Sequence, residues 1–304
     1  INEKDPDKLV EIIAALEPTF GGINLEDIKA PDCFIVERKL RERMKIPVFH
    51  DDQHGTAIVV GAALLNGLRV AGKRIEEIKL VTSGAGAAAL ACIGLLVKLG
   101  LPRKNIWVTD IKGLVYEGRT ELMDPDKAVY AQATGQRTLA EAIDGADVFL
   151  GLSAGGVLKP EMVARMAARP LVFALANPIP EITPEEVMKV RNDAIMATGR
   201  TDYPNQVNNV LCFPYIFRGA LDCGATSITN AMEIAAVHAI ADLAQAEQNE
   251  EVAAAYAGQH LAFGPQYLIP KPLDPRLMLK IAPAVAQAAA ADGVASRPIT
   301  DMAA

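Results

Sequence analysis

Cysteine is scarce in this chain, which has only Cys33, Cys92, Cys212 and Cys223 among its 304 residues. No two of them form a CxxC pair and no HExxH segment occurs, so the sequence gives no support to a zinc site. We therefore expect free thiols in a reducing cytoplasm, without disulfides. Cys92 lies in an apolar, helical run, where a buried thiol is the usual state.

The sequence also lacks a long apolar run and an excess of positive charge. Its longest apolar run, Ala85 to Val97, is shorter than the roughly 20 residues that a membrane-spanning helix needs. The formal net charge is −7, which argues against a general nucleic-acid-binding surface but allows a local positive patch for a small anion. We expect a cytoplasmic globular protein with neither a membrane nor a nucleic acid as its partner.

What the sequence does contain is an alternation of strands and helices. From about residue 78 to residue 200, short apolar strands alternate with helical segments, beginning with "IKLVTSG" and "NIWVTDIKG". This alternation predicts βαβ units, and hence an α/β fold with a doubly wound, Rossmann-like parallel sheet. Two short strands with helices of their own precede it, and the chain after it is helical and rich in alanine.

A glycine-rich turn follows the first strand of the alternation. In "LVTSGAGAAAL", Gly84, Gly86 and Ala89 have the spacing GxGxxA. Gly84 would allow the tight turn and Gly86 the close approach of a pyrophosphate, which would bind at the helix N-terminus. The second strand ends at Asp110, near the position of an acid that binds a ribose. These features predict dinucleotide binding; the alternative is a glycine turn in another kind of α/β sheet.

The sequence leaves the choice between NAD and NADP open. The carboxylate of Asp110 would accept from a ribose 2′-hydroxyl and repel a 2′-phosphate, which favours NAD. Lys112 lies two residues later and would instead attract a phosphate, which favours NADP.

Acidic residues end two strands in the first part of the chain. Glu26 and Asp27 end one short strand, and Asp51 and Asp52 end the strand in "IPVFHDD". Because the carboxyl ends of parallel strands meet at one crevice, these carboxylates are expected to converge. Oxygen ligands without cysteine favour Mg²⁺ or Mn²⁺. The alternative is that Asp51 or Asp52 caps the helix that begins near Gly55.

Histidines and asparagines near the strand ends have both a functional and a structural interpretation. We expect His50 and His54 to pack or to support the acids rather than to bind a metal. Asn177 ends a later strand, and Asn208 and Asn209 precede an apolar run. An amide can donate to a carboxylate and accept from a hydroxyl, but Asn-Pro and Asn-Asn are also common in turns.

Six motifs, in order, make the chain similar to the malic enzyme family, and in particular to its large bacterial NADP-type form with an additional acyltransferase-like domain. The motifs are "FGGINLEDIKAPDCF", "IPVFHDDQHGTA", "TSGAGAAA", "DIKGLVYEGR", "LANPIPEI" and "YPNQVNNVLCFP". They extend from Phe20 to about Pro214, and the helical remainder also resembles the family.

The resemblance implies a metal site and a cofactor site. Glu26, Asp27 and Asp52 would bind Mg²⁺ or Mn²⁺, and the neighbouring Asp51 would support catalysis. Asn209 would contact the substrate. Asn177 would contact both substrate and cofactor, and the cofactor residues would be Ser83, Gly84, Ala85, Gly86, Ala87, Ala88, Asp110, Lys112 and Asn177.

The resemblance also implies an activity, which is the oxidative decarboxylation of malate to pyruvate and CO₂ with reduction of NADP or NAD. Residues 1–52 would then be part of a substrate and metal domain, and 53–208 the NAD(P)-binding domain. Residues 209–304 would form a helical segment that packs back on the first domain. The family suggests a homo-oligomer, a dimer or larger.

The chain departs from the family pattern upstream of its first motif. The family's catalytic tyrosine and lysine belong there, and neither segment is present; Tyr203 and Tyr215 lie in the wrong motif to replace them. We expect an internal part of a longer polypeptide that alone binds dinucleotide weakly and turns over malate negligibly. The alternatives are a catalytically silent nucleotide-binding and assembly fragment, and another Rossmann dehydrogenase, which would have no use for three converging carboxylates.

Overall fold

A two-stranded parallel sheet and a six-stranded, mostly parallel sheet, with surrounding helices, make up the computed structural model, which describes residues 1–247, 261–299 and 301. The strands are β1 (Ile23–Leu25), β2 (Val48–His50), β3 (Leu80–Ser83), β4 (Ile106–Asp110), β5 (Gly113–Leu114), β6 (Val148–Gly151), β7 (Leu171–Ala174) and β8 (Ile195–Thr198). The helices are α1 (Pro6–Ala15), α2 (Asp32–Arg43), α3 (Thr56–Ala71), α4 (Ala87–Lys98), α5 (Pro125–Ala128), α6 (Leu139–Ala142), α7 (Pro160–Ala164), α8 (Pro184–Met188), α9 (Phe213–Asp222), α10 (Asn230–Gln245) and α11 (Arg276–Ala291).

The smaller sheet contains β1 and β2, which pair in parallel with Leu25 opposite His50. The carboxyl ends of both strands therefore lie side by side, each followed directly by its acidic pair. Helices α1 and α2 pack on each other and, with the strands, enclose an apolar cluster that includes Val36 and Leu40. The side chain of Asp5 accepts from the first N–H groups of α1, and the proline that follows it suits the first helical turn.

The larger sheet has six strands in the order β5-β4-β3-β6-β7-β8, and all neighbours are parallel except β5 and β4. The chain leaves β3 for β4 on one side and later returns to the other side of β3 to form β6. The strand order therefore reverses between β3 and β6. Crevices at such reversals are where doubly wound sheets bind their ligands.

Helix α3 is the centre of the main apolar core. Its side chains join one face of the larger sheet to the C-terminal helices, and its small residues allow close packing: a Cβ atom at Gly67 would lie 2.4 Å from Leu171. The segment Asp51–Ala71 is long and apolar enough to cross a membrane, yet 72% of its apolar window is buried inside the protein. In this fold the segment therefore serves as a core helix.

The C-terminal helices pack mainly against α3 and against one another. Helix α10 contacts α3 and α11, and α11 also contacts α9. A contact with the first part of the chain comes from Phe217 of α9, whose ring meets that of Phe49 at 5.9 Å between centroids. Of the predicted segment 209–304, residues 248–260, 300 and 302–304 lie outside the described residues.

The predicted fold class is confirmed, since the alternating segments form a parallel sheet with helices between its strands. The buried thiol predicted at Cys92 is also present. Among the elements that the sequence did not predict, two lie next to acidic residues of interest. One is β5, a two-residue antiparallel edge strand, and the other is a single turn of π-helix over Asp51–Gly55, directly before α3.

Asn66 provides a test of how α3 holds the C-terminal part of the chain. Its buried amide donates to the carbonyl oxygens of Ala241 (2.8 Å) and Leu268 (2.7 Å). Asn66→Ala would leave both without this donor, so we expect the free energy of unfolding to fall by about 2 to 4 kcal/mol in urea denaturation. Asn192→Ala, at an exposed position, should change it by less than about 0.5 kcal/mol. Equal effects of the two variants would contradict this role.

Candidate functional site

A cleft of about 920 Å³ lies at the carboxyl ends of β3, β4 and β6. This is the position expected for the ligand of a doubly wound sheet. Of the cofactor residues predicted from the sequence, those that line the cleft are Ser83, Gly84, Ala85, Gly86, Asp110 and Lys112. Ala87 and Ala88 begin α4 beside it, and Asn177 follows β7 without lining the cleft.

The glycine-rich turn has the backbone that a pyrophosphate site needs. Gly84 has φ +114°, and a Cβ there would lie 2.5 Å from the carbonyl oxygen of Leu152, so only glycine fits. A Cβ at Gly86 would meet no atom within 4 Å, which means that the space above it is open. Helix α4 begins at Ala87 without a side-chain cap, so its first N–H groups are available to an anion. These residues fit a dinucleotide.

Asp110 forms ion pairs with two basic side chains. Its two oxygens each accept from Nη2 of Arg119 at 2.6 Å, and Nζ of Lys127 lies 3.3 Å away. The Arg119 side chain is almost fully buried, and the backbone N–H of Lys112 also donates to the carboxylate. The acid expected to bind the ribose is therefore already neutralised. Arg119 ends the motif "DIKGLVYEGR" that Asp110 begins, but the motif alone does not show that the two side chains pair.

The carboxylates that follow β1 and β2 lie next to each other. The backbone N–H of Asp27 donates to Oδ2 of Asp52 at 2.9 Å, while Glu26 accepts from the Asn24 side chain at 2.7 Å. Asp27 has φ +58°, a left-handed conformation that reverses the chain directly after the strand. Within the described residues, no three His, Cys, Asp or Glu side chains are arranged to hold a metal ion. The exposed oxygens nevertheless have the chemistry of a partial Mg²⁺ or Mn²⁺ site that leaves positions for other ligands.

Asp51 is buried beside these acids and has an unusual protonation equilibrium. Burial raises its pKa to about 7, the charges of Glu26 and Asp52 act in the same direction, and the bond from Asn209 opposes them. Nδ2 of Asn209 donates to Oδ2 at 2.7 Å, whereas Oδ1 is buried without a partner among the described residues. A Cβ at Gly55 would lie 1.9 Å from Oδ1, so a residue without a side chain is required there.

The alternative that Asp51 or Asp52 caps α3 is wrong. No side chain caps this helix at Gly55, and the chain enters it through the π-helical turn Asp51–Gly55. Because that turn continues the helical hydrogen bonding backwards, the two aspartates are free to face the site instead.

His54 is held between two buried carboxylates. Its Nε2 lies 2.7 Å from Oε1 of Glu37, and its Nδ1 lies 3.0 Å from Oε1 of Glu233. Burial acts to lower the pKa of His54, but the two carboxylates outweigh it and raise the pKa to about 9. This ionised group connects α2, the π-helical turn and α10, which agrees with the packing role expected for His54. His50 is also buried, and its ring nitrogens have no hydrogen-bond partner among the described residues.

The asparagines divide between turn and site. Asn208 accepts from the N–H of Val210 and so caps a short 3₁₀ turn, whereas Asn209 contacts Asp51 as described above. Asn177 is exposed, and a Cβ at Gly199 would lie 2.7 Å from its Nδ2. Turn chemistry therefore explains Asn208 but does not explain Asn209.

Two family descriptions match the chain: "Malic enzyme, NAD binding domain" over residues 53–256 and "Malic enzyme, N-terminal domain" over residues 2–41. An NAD-dependent malic enzyme of Rhizobium meliloti is 68% identical over 295 residues, covering 97% of this chain and 38% of the relative. An NADP-dependent malic enzyme of Haemophilus influenzae is 64% identical over 300 residues, covering 98% of this chain and 40% of the relative. The chain thus spans less than half of the length of these relatives.

A solved structure has the same fold over nearly the whole chain. The malic enzyme from Pyrococcus horikoshii Ot3 matches with a TM-score of 0.87 and 42% sequence identity, covering 98% of this chain and 68% of that one.

The raised pKa of His54 predicts a pH-dependent contribution to stability. The value of about 9 lies above the ordinary value of 6.5, so the stabilisation is complete below about pH 6.5 and is lost as the pH rises through 9. We expect this loss to reach on the order of 3 kcal/mol. Urea denaturation in metal-free buffer from pH 6 to pH 10 should show this decline in the free energy of unfolding for the wild type. The decline should be smaller for His54→Gln.

The matched control is His238→Gln on the exposed face of α10, which should keep the wild-type decline. An unchanged decline in His54→Gln would show that the contacts with Glu37 and Glu233 do not stabilise the charged ring.

Proposed function

The chain belongs to the malic enzyme family, and on this basis we propose that it carries the dinucleotide and metal sites of an enzyme that oxidises and decarboxylates malate. The products are pyruvate, CO₂ and reduced NADP or NAD. The chain acts as part of a longer polypeptide, and that polypeptide forms a homo-oligomer in the cytoplasm. One observation carries the proposal: the acid-bearing turn Asp51–Gly55 packs directly against α4, the helix that begins at the glycine-rich turn. This contact supports the proposal that the acids and the dinucleotide cleft belong to one site.

In this proposal Glu26, Asp27 and Asp52 would hold Mg²⁺ or Mn²⁺, and the cleft at the glycine-rich turn would hold the dinucleotide that serves as hydride acceptor. When bound, the cation polarises the substrate oxygens and stabilises the negative charge that develops as CO₂ leaves. The bond between the Asp27 backbone and Asp52 keeps the two strand ends together before any cation arrives. This contact supports the assignment of Asp27 and Asp52 to one site.

Asp51 supports the chemistry through its proton. A pKa of about 7 allows it to gain or lose a proton near neutral pH, which suits a group that assists an acid or a base. Asn209 donates to one oxygen of this carboxylate and thereby fixes its orientation. Asn209, and Asn177 beyond the cleft, are proposed to contact the substrate, and Asn177 also the cofactor.

NADP is the proposed cofactor, with NAD as the alternative. Arg119 and Lys127 neutralise Asp110, which removes the repulsion that this acid would exert on a 2′-phosphate. The half-exposed Lys112 ion-pairs with the exposed Glu121 and can turn toward a phosphate at small cost. Sequence identity alone does not decide the question, since the relatives named above include both an NAD-dependent and an NADP-dependent enzyme.

The metal assignment predicts that Asp52→Asn weakens Mn²⁺ binding. Loss of an anionic oxygen should raise the Mn²⁺ dissociation constant by at least about tenfold, measured by electron paramagnetic resonance or calorimetry on the purified chain. Circular dichroism should show an unchanged fold. Asp7→Asn, at an exposed acid of α1, is the control and should bind as the wild type does. Equal affinity of Asp52→Asn and wild type would refute the assignment.

The cofactor assignment predicts a selective effect of Lys112→Ala. We expect the dissociation constant for NADP to rise about tenfold while that for NAD stays within about twofold, because only NADP carries the additional phosphate. Isothermal titration with both nucleotides measures this, with Lys8→Ala on α1 as the control. Parallel losses for both nucleotides would instead assign Lys112 to a part of the site that NAD and NADP share.

A further inference from the structure

Glu181 is a fully buried carboxylate that the sequence did not single out. It lies in the loop between β7 and α8, and none of its surface is exposed. Its Oε1 accepts from the backbone N–H of Ser153 at 2.9 Å, and its Oε2 accepts from that of Ala176 at 3.0 Å. A Cβ at Gly151 would lie 2.4 Å from its Cδ, so the last residue of β6 leaves room for this carboxylate by having no side chain.

The charge of Glu181 is balanced by amide dipoles rather than by a cation. It forms no salt bridge with any described residue. Burial raises its pKa, and the N–H groups of Ser153 and Ala176 oppose that rise. Because both oxygens accept from N–H donors, the hydrogen bonds favour the ionised form. When ionised, Glu181 is a negative charge that these two amides hold in place beneath the loops that follow β6 and β7.

Those loops form part of the dinucleotide cleft. Ser153 lines the cleft, and its hydroxyl lies 2.7 Å from that of Ser83 at the end of β3. Ala176 follows β7, the next strand along the sheet. In a doubly wound sheet the two halves of a dinucleotide lie on opposite sides of the strand reversal, here between β3 and β6. The glycine-rich turn and Asp110 occupy the adenosine side, which leaves β6 and β7 for the nicotinamide side.

We propose that Glu181 is a positioning residue for the nicotinamide half of the cofactor, and that its buried charge makes the cleft select the oxidised form over the reduced form. The oxidised ring is cationic and the reduced ring is neutral, so a fixed anion below the ring stabilises only the oxidised ring. The same carboxylate ties together the loops that follow β6 and β7. The inference rests on the proposed dinucleotide site and adds a preference between its two redox states.

The test compares the binding of NADP⁺ and NADPH to the purified chain. The measured quantity is the ratio of the NADPH to the NADP⁺ dissociation constant, from calorimetry and from NADPH fluorescence. We expect Glu181→Gln to lower this ratio by roughly three- to tenfold, the range expected for one charge several ångströms away inside a protein. Glu181→Asp, which keeps the charge, should retain the wild-type ratio even if both affinities fall. A purely structural role would weaken both forms equally.

The control measurements distinguish an error in the proposed dinucleotide site from an error in the inference about Glu181. Glu186→Gln removes a carboxylate of the α8 capping box outside the cleft and should leave the ratio unchanged. If the wild type binds neither nucleotide, the proposed dinucleotide site is wrong and the inference falls with it. If both bind and Glu181→Gln has the wild-type ratio, only the inference is wrong.

A second measurement needs no variant and therefore does not depend on whether Glu181→Gln folds. The wild-type chain should bind NADP⁺ more tightly than NADPH, and tighter binding of NADPH would contradict the proposal.

Discussion

The ion-paired contact of His54 with Glu37 and Glu233 is the interaction on which the arrangement of the site depends. It joins a helix that covers the smaller sheet, the turn that carries two aspartates, and a C-terminal helix of the main core. Two carboxylates buried at one place would repel each other, and a cationic ring between them removes that repulsion. The acids of the smaller sheet thereby keep a fixed position relative to the helix that starts at the glycine-rich turn.

The site contains several buried or partly buried carboxylates, and each has different neighbours that offset its negative charge. Asp110 is balanced by Arg119 and Lys127, and Glu181 by two backbone amides. Asp51 accepts from one side-chain amide only, and burial together with the charges of Glu26 and Asp52 raises its pKa to about 7. Asp51 can therefore exchange a proton near neutral pH.

Much of the fold could be predicted from the sequence, because local patterns determine it. The alternation of apolar strands with helices gave the parallel sheet, and the spacing of Gly84 and Gly86 gave the turn at its edge. The partners of the acids could not be predicted in this way. Arg119 and Asp110 stand in the same motif, which does not show that they pair, and Glu233 is far along the chain from His54. Glu181 was missed because its partners are backbone amides, which every residue except proline possesses.

Gly55 shows that the site does not tolerate even one added side-chain atom at this position. Its missing side chain gives room to an oxygen of Asp51, and the turn around it has neither an unusual φ angle nor a cap that would mark it as special. Alanine is generally favoured over glycine inside helices, but its methyl group would overlap the Asp51 carboxylate here. The helix therefore gives up some intrinsic helix propensity at its first turn in order to accommodate an acid.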